Sequence, residues 1–300
     1  MMIESGISHI RDPFVLVEED AFYLYGSDVT QGDWDKIEWC CYKNSGDLFS
    51  GNWRKIEKFA ILPQNAKSDF WSPEVHKYGE SYYLFATYLS KNTGRHGCTI
   101  LKSESPEGPF VEITNGQITP KDIDAIDGTL YVDENGTPWM VYVHEWTCTN
   151  DKIGRMCAAR LSEDLTHFVS EPTELFRADE PVWKPGQVTD GCFMYKTKEG
   201  ELLMMWSNLE SEGEGFGYCV AVAKSENGKI DGRWIHEDKP IFSRHITGGA
   251  DGGHGMIFEN RDAKKYMAIH SPNLPEQGDC EKAFFVPVEE ENGKIICEIG

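Results

Sequence analysis

Asp12, Asp127 and Asp190 each stand immediately before proline or glycine, at widely separated points of the chain. A single aspartate in such a place often only makes a turn, because its side chain hydrogen-bonds its own backbone two residues on. Turn formation gives no reason for the same residue type to recur at three matching positions. Carboxylic groups gathered in one cleft can protonate a leaving oxygen and activate a water molecule, which is the chemistry that hydrolyses a glycosidic bond.

Five similar segments would bring these residues together. Each starts with a polar residue beside proline or glycine and continues into an apolar, aromatic-rich run, and the segments recur at intervals of roughly sixty residues, as stacked supersecondary units do. The starts and the apolar runs are, in order, 11–13 with 22–27, 71–74 with 82–86, 126–128 with 139–142, 189–191 with 203–207, and 253–255 with 266–269. The sequence therefore predicts an all-β fold, a five-bladed β-propeller that fills residues 1–300 as a single domain.

Local patterns inside the segments indicate β-hairpins. Short apolar stretches are separated by polar turns such as 134–136, and almost no segment shows a sustained apolar period of about 3.6 residues, so helices should be few or absent. In a propeller the innermost strand of every blade presents its first residues to the central axis. The residues expected to share a pocket there are Asp12, the 71–74 segment, Asp127, Asp190 and His254.

Charge and length narrow the class of partner. The formal net charge is -21 at pH 7, and the acidic residues are spread along the chain without a basic stripe, which disfavours nucleic acid and anionic membranes as partners. No stretch is long enough to span a bilayer. A neutral substrate is expected, and the sequence leaves the oligomeric state open.

The N-terminus and the cysteines predict a compartment. Residues 1–6 lack the cationic and apolar regions of a secretory signal. The nine cysteines are odd in number and show no paired spacing, which is typical of a reducing environment. We therefore predict a cytoplasmic protein.

Taken in order, the segment starts resemble those of glycoside hydrolase family 43, over essentially the whole chain. The matching motifs are Arg11-Asp12-Pro13, Trp71-Ser72-Pro73-Glu74-Val75-His76, Ile126-Asp127, Thr189-Asp190-Gly191 and Gly253-His254-Gly255. The resemblance implies a propeller that hydrolyses glycosides with inversion. In these terms Asp12 is the general base, Asp127 orients the acid and adjusts its pKa, and the carboxylate of the fourth blade is the general acid.

The fourth motif departs from the family pattern. Family members usually have Glu-Gly-Pro there, whereas this chain has Asp190-Gly191-Cys192. Asp190 is the first choice for the acid, although its side chain is one methylene shorter than glutamate. Glu145 is the second choice, and Glu74 and Glu210 are further rivals.

The resemblance also implies residues that contact the sugar. Trp71 stands where family members line the sugar-binding subsite, and Phe14 and His76 are expected to contribute to the same pocket. His254 resembles a channel histidine that contacts a hydrated calcium or sodium ion through water. No cofactor is required, and such an ion would be structural and optional.

The expected substrate is a neutral oligosaccharide or small glycoside from which a terminal or side-chain sugar is released. Of the sugars on which the family acts, α-L-arabinofuranose is the one expected for this chain, with β-D-xylose and β-D-galactofuranose as alternatives. A carbohydrate-binding propeller with impaired catalysis is the alternative from a different functional class.

Overall fold

The computed structural model describes residues 1–183, 185–211 and 216–299, and its regular structure is almost entirely β. Over these ranges there are 21 strands in five antiparallel sheets, one four-residue α-helix (α1, Arg244–Thr247) and two 3-10 turns, Trp34–Lys36 and Trp146–Cys148. The predicted all-β, five-bladed propeller is confirmed. Among the residues described, no helix has the length and apolar character needed to cross a lipid bilayer. That residues 1–300 form a single domain stays a prediction.

Four of the five blades are built from consecutive strands. After an N-terminal strand, β1 (Ile3–Ser8), the first blade contains β2 (Ile10–Val17), β3 (Phe22–Asp28), β4 (Glu38–Asn44) and β5 (Arg54–Lys55). The second contains β6 (Ala66–Tyr78), β7 (Ser81–Ser90), β8 (His96–Ser103) and β9 (Val111–Glu112). The third contains β10 (Ala125–Val132), β11 (Pro138–His144), β12 (Arg155–Arg160) and β13 (Thr173–Arg177). The fourth contains β14 (Asp190–Lys196), β15 (Leu202–Ser211), β16 (Phe216–Ser225) and β17 (Trp234–His236).

The fifth blade joins the two ends of the chain. It contains β18 (Gly253–Glu259), β19 (Lys265–Ser271), β20 (Lys282–Glu291) and β21 (Lys294–Cys297), and β1 pairs with β20. The register places Ile3 opposite Phe285. Backbone hydrogen bonds between the first and the last part of the chain therefore close the ring of blades.

Apolar side chains between neighbouring sheets fix the blades relative to one another. Trp139, Trp206 and Trp234 lie in one buried cluster that spans the third and fourth blades. Tyr25 and Phe285 belong to another cluster, which links the first, second and fifth blades. Each fully buried side chain of this size contributes on the order of 2 kcal/mol, so the inner strands are held where their first residues converge.

Every innermost strand carries a β-bulge, which lies near the start of the strand in four blades and in the middle of β6 in the second blade. In all five blades the pairing register shifts by one residue at this place, as an inserted residue requires. The residues with left-handed backbone at the five bulges are Asp12 (φ 53°), Ser72 (φ 47°), Asp127 (φ 55°), Gly191 (φ 53°) and His254 (φ 55°). Asp190 therefore precedes the position that matches Asp12 and Asp127, which corrects the expectation that the three aspartates are equivalent.

Candidate active site

The starts of the inner strands form the floor of a pocket of about 260 Å³. Asp12, Asp127, Asp190 and His254 all line it. Apolar and aromatic side chains build much of its wall: Trp34, Ile37, Trp71, Trp146, Val188, Leu209 and Leu274. The structure thus brings together the aspartates and the histidine that the sequence placed at the axis.

Asp12 is held as an ionised carboxylate. Its Oδ2 accepts a hydrogen bond of 2.7 Å from Ser27 Oγ, and its Oδ1 lies 3.2 Å from His254 Nδ1. Burial by itself would raise the pKa of Asp12, but the charge and hydrogen bond of His254, with the charge of Arg11, lower it far below its usual value. A carboxylate that stays ionised at neutral pH is in the state a general base requires.

His254 supplies the positive charge at the centre of the floor. Burial would lower the pKa of this imidazole, but the carboxylates of Asp12 and Asp127 raise it to about 10. The backbone N–H of His254 donates to Ser207 Oγ at 2.8 Å. Within the described parts of the chain its buried Nε2 has no hydrogen-bond partner, so this atom is the one available to a water molecule in the channel.

Asp127 connects the third and fourth blades. Its backbone N–H donates to Thr87 Oγ1 at 3.0 Å, and its Oδ2 accepts a 2.9 Å hydrogen bond from the N–H of Gly191. Burial, with the negative charge of Asp12, raises the pKa of Asp127, while His254 opposes the shift. The carboxyl group therefore holds the backbone immediately after Asp190.

Asp190 begins β14, and its surroundings favour the protonated form of its carboxyl group. Burial first, and then the negative charge of Asp127, raises the pKa of Asp190 well above its usual value, with His254 acting against them. Its Oδ2 accepts a hydrogen bond of 3.1 Å from the Tyr218 hydroxyl. Surroundings that raise the pKa of a carboxyl group favour its protonated form, which is the form a general acid needs.

Gly191 explains why the carboxylate of the fourth blade lies one residue before the left-handed position of the bulge. A Cβ atom at this position would lie 2.8 Å from both Cα and Cγ of His254, and the backbone φ of 53° is also unfavourable for residues with a side chain. Only glycine fits the fourth bulge. A side chain aimed at the pocket from this strand must therefore come from the preceding residue, Asp190.

Glu145, the rival acid, also lines the pocket. It immediately precedes the 3-10 turn Trp146–Cys148. Burial raises its pKa, while the electrostatic interaction with His96, whose Nδ1 lies 4.0 Å from Glu145 Oε2, lowers it. The pocket therefore contains two carboxyl groups with raised pKa values besides Asp127.

The other two rivals do not line this pocket among the residues described. Glu74 is buried, and its Oε2 lies 3.0 Å from His76 Nε2. Glu210 is buried, and its backbone forms an isolated antiparallel β-bridge with Pro185.

His96, Asp124 and Glu145 approach one another closely enough to be considered as metal ligands, with their ligand atoms all within 4.8 Å. Two of the three already have other partners. Arg95 Nη1 lies 2.7 Å from Asp124 Oδ2, and His96 Nε2 lies 3.0 Å from Asp69 Oδ2. Because a guanidinium already neutralises Asp124, the cluster is an ion-pair network, and we assign no metal to it.

Trp71 lies in the pocket wall, as predicted. Its indole stacks on His96 with ring centroids 4.5 Å apart and meets Trp34 edge to face at 6.1 Å. The Arg11 guanidinium lies 5.0 Å from the Trp34 ring. Trp34 is more than half exposed at 55%, so two aromatic faces extend from the floor of the pocket towards solvent.

Phe14 and His76 are not among the described residues that line this pocket. They line a second cavity of about 390 Å³, formed by residues further along the inner strands. There the two rings contact each other edge to face at 5.0 Å. The expectation that Phe14 and His76 contribute to the sugar-binding pocket was therefore wrong. Phe14 lies two residues after Asp12, and His76 lies four residues after Ser72. At these positions past the bulge, the strand has moved away from the floor of the pocket.

Besides aliphatic wall residues, the sequence analysis missed four aromatic or polar residues of the pocket: Trp34, Trp146, Tyr218 and Asn273. Trp34 and Trp146 lie in 3-10 turns, and Asn273 lies in the connection between β19 and β20. Tyr218 lies inside β16, where an aromatic residue in an apolar run is indistinguishable from a packing residue. Only the exposed Trp34, beside acidic neighbours in a polar stretch, carried a recognisable signal.

Known proteins resemble this chain in sequence and in fold. The crystal structure of endo-arabinase from Bacteroides thetaiotaomicron VPI-5482 is 31% identical, with a TM-score of 0.83 over 97% of this chain and 98% of that one. The α-L-arabinofuranosidase from Lactobacillus brevis shares the fold with a TM-score of 0.76 at 16% identity, over 99% of this chain and 96% of that one.

A curated relative is the extracellular exo-α-(1→5)-L-arabinofuranosidase ArbA of Cellvibrio japonicus (strain Ueda107). It is 25% identical over 176 residues, which cover 55% of this chain and 47% of the relative. The chain therefore spans about half the length of this relative.

The extracellular relative contradicts the predicted cytoplasmic location, which was wrong. The prediction depended partly on unpaired cysteines. All nine are free, and six are buried: Cys40, Cys41, Cys98, Cys157, Cys192 and Cys219. A buried thiol packs as a small apolar group and raises no need for a disulfide partner, so these residues carry little information about the compartment.

The sequence profile of glycosyl hydrolases family 43 matches residues 7–289. This range includes all five inner strands and every carboxylate of the pocket. The resemblance inferred from the five motifs is thereby confirmed, and the endo-arabinase structure, at 31% identity, has the same fold over nearly its full length. The chain belongs to glycosyl hydrolases family 43.

Proposed function

We propose that this glycoside hydrolase releases α-L-arabinofuranosyl residues, terminal or in side chains, from neutral oligosaccharides with inversion at the anomeric carbon. The observation that carries the proposal is the contrast between Asp12 and Asp190. Both line one pocket, yet their surroundings shift their pKa values in opposite directions. Two carboxyl groups whose pKa values are pushed apart provide a base and an acid at the same pH.

In the proposed reaction, the two groups act on opposite sides of the scissile bond. Asp190 gives its proton to the glycosidic oxygen as the bond from that oxygen to the anomeric carbon breaks. Asp12 takes a proton from a water molecule whose oxygen forms the new bond to the anomeric carbon from the opposite face. Asp12 then carries the proton and Asp190 the charge, and exchange with solvent restores both.

Asp127 acts on the acid rather than on the sugar. Its negative charge raises the pKa of Asp190, and its Oδ2 holds the Gly191 N–H. The same carboxyl group therefore adjusts the protonation of the acid and fixes the backbone from which the acid projects.

The sugar is proposed from the relatives and from the shape of the pocket. One relative is named for exo-α-(1→5)-L-arabinofuranosidase activity and another is an endo-arabinase. The pocket volume of about 260 Å³ falls just below the range of roughly 300–1,000 Å³ that holds drug-sized ligands, which suits a single sugar unit. Trp34 and Trp71 offer flat faces for the apolar side of a sugar ring.

An optional calcium or sodium ion in the channel remains part of the proposal. The buried Nε2 of His254 has no hydrogen-bond partner among the described residues. To accept a hydrogen bond from a water ligand of such an ion, the imidazole would have to be neutral, and a nearby cation would favour that form because it opposes protonation. An ion there would add positive charge near His254, and the proposed steps use only side chains of the protein.

Hydrolysis of p-nitrophenyl α-L-arabinofuranoside, β-D-xyloside and β-D-galactofuranoside, and of α-1,5-linked arabino-oligosaccharides, tests the proposal. We expect turnover of the arabinofuranosyl substrates and its loss in Asp12→Ala, with the inverted anomer seen first by proton NMR. Turnover of the xyloside or the galactofuranoside alone would replace the proposed sugar. Binding of oligosaccharides without any turnover would instead identify a carbohydrate-binding propeller.

A further inference from the structure

Tyr218 makes a contact with the proposed acid that neither the family motifs nor the sequence pattern indicated. It lies in β16, its side chain is buried, and its hydroxyl is 3.1 Å from Asp190 Oδ2. Within the described ranges this is the one hydrogen bond that the hydroxyl makes. Burial raises the pKa of Tyr218 well above its usual value, so the phenol keeps its proton and remains a donor.

The Tyr218 ring occupies space that is open because residue 253 has no side chain. A Cβ atom at position 253 would lie 2.3 Å from Tyr218 Cε1, so residue 253 has to be glycine for the ring to occupy this position. The Tyr218 backbone N–H donates to Asp251 Oδ2 at 3.1 Å, and the ring stacks on His270 with centroids 5.5 Å apart. The direction of the hydroxyl is therefore fixed by contacts on several sides.

His270 links the Tyr218 ring to Asp12, the proposed base. Its Nδ1 accepts a 3.2 Å hydrogen bond from the backbone N–H of Asp12. Burial, together with the charge of Arg11, lowers the pKa of His270 well below its usual value, which keeps the imidazole neutral and able to accept this bond. The Tyr218 ring thus packs against a residue that orients Asp12, while its hydroxyl reaches Asp190.

We infer that Tyr218 is a positioning residue that holds Asp190 Oδ2 as a hydrogen-bond acceptor and leaves the acid proton on Oδ1. This inference rests on the proposed function, in which Asp190 is the general acid. A carboxylic acid can accept at one oxygen while it carries its proton on the other. With Oδ2 occupied by the hydroxyl, the proton is presented by the remaining oxygen.

The hydrogen bond from Tyr218 to Asp190 also stabilises the transition state of proton transfer. As the proton leaves Asp190, negative charge develops on the carboxyl group, and a hydrogen bond to a charged acceptor is stronger than one to a neutral acceptor. The hydroxyl therefore stabilises the aspartate that forms. It also offers a physical reason why the short side chain of aspartate can do what glutamate does in related chains.

Tyr218→Phe removes only the hydroxyl and keeps the ring in its place on His270. We expect kcat/KM for substrates with poor leaving groups to fall about tenfold or more, the value of one hydrogen bond to a charged group, while dinitrophenyl glycosides lose little. Because the lost donor stabilised the charged form, the pKa of Asp190 should rise, and the alkaline limb of the pH profile should move to higher pH. Tyr25→Phe is the matched control, since Tyr25 is buried and donates to Pro106 O at 2.6 Å in another part of the fold.

An equal loss on both substrate classes with an unmoved alkaline limb would overturn the inference, because a merely structural role predicts that result. Failure of the proposed function is separable, since it would appear as a wild-type protein without turnover. In that case, titration of the Asp190 carboxyl group by carbon-13 NMR still tests the hydrogen bond from Tyr218. A higher pKa in Tyr218→Phe supports the hydrogen bond, and an unchanged pKa overturns it.

Discussion

The backbone N–H of Gly191 donates a 2.9 Å hydrogen bond to Oδ2 of Asp127. This bond joins the inner strands of the third and fourth blades at the residue that follows the proposed acid. A second contact supports it, because Cys192 Sγ lies 3.0 Å from the carbonyl oxygen of Asp127. The place of Asp190 in the pocket is therefore set by the backbone of its own strand and by a carboxyl group of the neighbouring blade.

Substitution at Gly191 tests this arrangement. Gly191→Ala would introduce a Cβ atom 2.8 Å from His254 Cα, so we expect a free energy of unfolding lower by at least about 2 kcal/mol and loss of activity. Gly200→Ala is the control, since its φ is 87° but nothing lies within 4 Å of the added atom. That variant should lose only about 1 kcal/mol. Equal losses in denaturant unfolding would show that the contact with His254 is unimportant.

Asp190→Asn should separate substrates by their leaving groups. Without a proton donor, kcat/KM for natural glycosides should fall about 10²–10⁴-fold, while dinitrophenyl glycosides, whose leaving group needs no proton, should be largely spared. Glu145→Gln is the comparison, because Glu145 lines the same pocket and also has a raised pKa. The acid would be reassigned to Glu145 if that variant, and not Asp190→Asn, showed the dependence on the leaving group.

Asp12→Ala should abolish turnover of both substrate types. Every substrate needs the activated water, so we expect a loss of about 10³-fold or more irrespective of the leaving group. Asp231→Ala, at an exposed position in the fourth blade, serves as a control and should keep wild-type rates. Substantial activity in Asp12→Ala on either substrate would exclude Asp12 as the base.

The pH dependence of stability should report on His254. Its folded-state pKa is raised from 6.5 to about 10, so its stabilising contribution is complete below about pH 6.5 and is lost as the pH rises towards 10. Urea unfolding at several pH values should therefore show a steeper alkaline loss for the wild type than for His254→Gln. His167→Gln, at an exposed histidine, should follow the wild type. Parallel curves for all three proteins would mean that His254 is not an imidazolium in the fold.

Removal of a channel ion should affect stability more than rate. If calcium or sodium is bound through water near His254, dialysis against a chelator or sodium-free buffer should lower Tm by a few degrees, as loss of a ligand specific to the folded state does. Activity on aryl glycosides at 25 °C should persist. Elemental analysis gives the metal content, and an unchanged Tm after removal and re-addition of both ions would refute the proposed ion.

The repeat of short apolar strands, polar turns and segment starts is local information, and it was enough to predict five β-blades with their inner strands converging. The same information placed Asp12, Asp127 and His254 at the axis, because all three occupy the bulge that opens an inner strand. The membership of the family followed from the same five motifs, since they span nearly the whole matched range of 7–289.

Tertiary structure decided which other side chains line the pocket and which do not. Side chains alternate between the two faces of a strand, and a bulge resets that alternation. The single-residue offset of Asp190 and the separation of Phe14 and His76 from the pocket therefore could not be obtained by matching motifs. Tyr218 and Trp34 enter the site from an inner position of β16 and from a turn, far from any segment start. The sequence by itself determined which residues open the inner strands, whereas the packing of one blade against the next decided which side chains meet around Asp190.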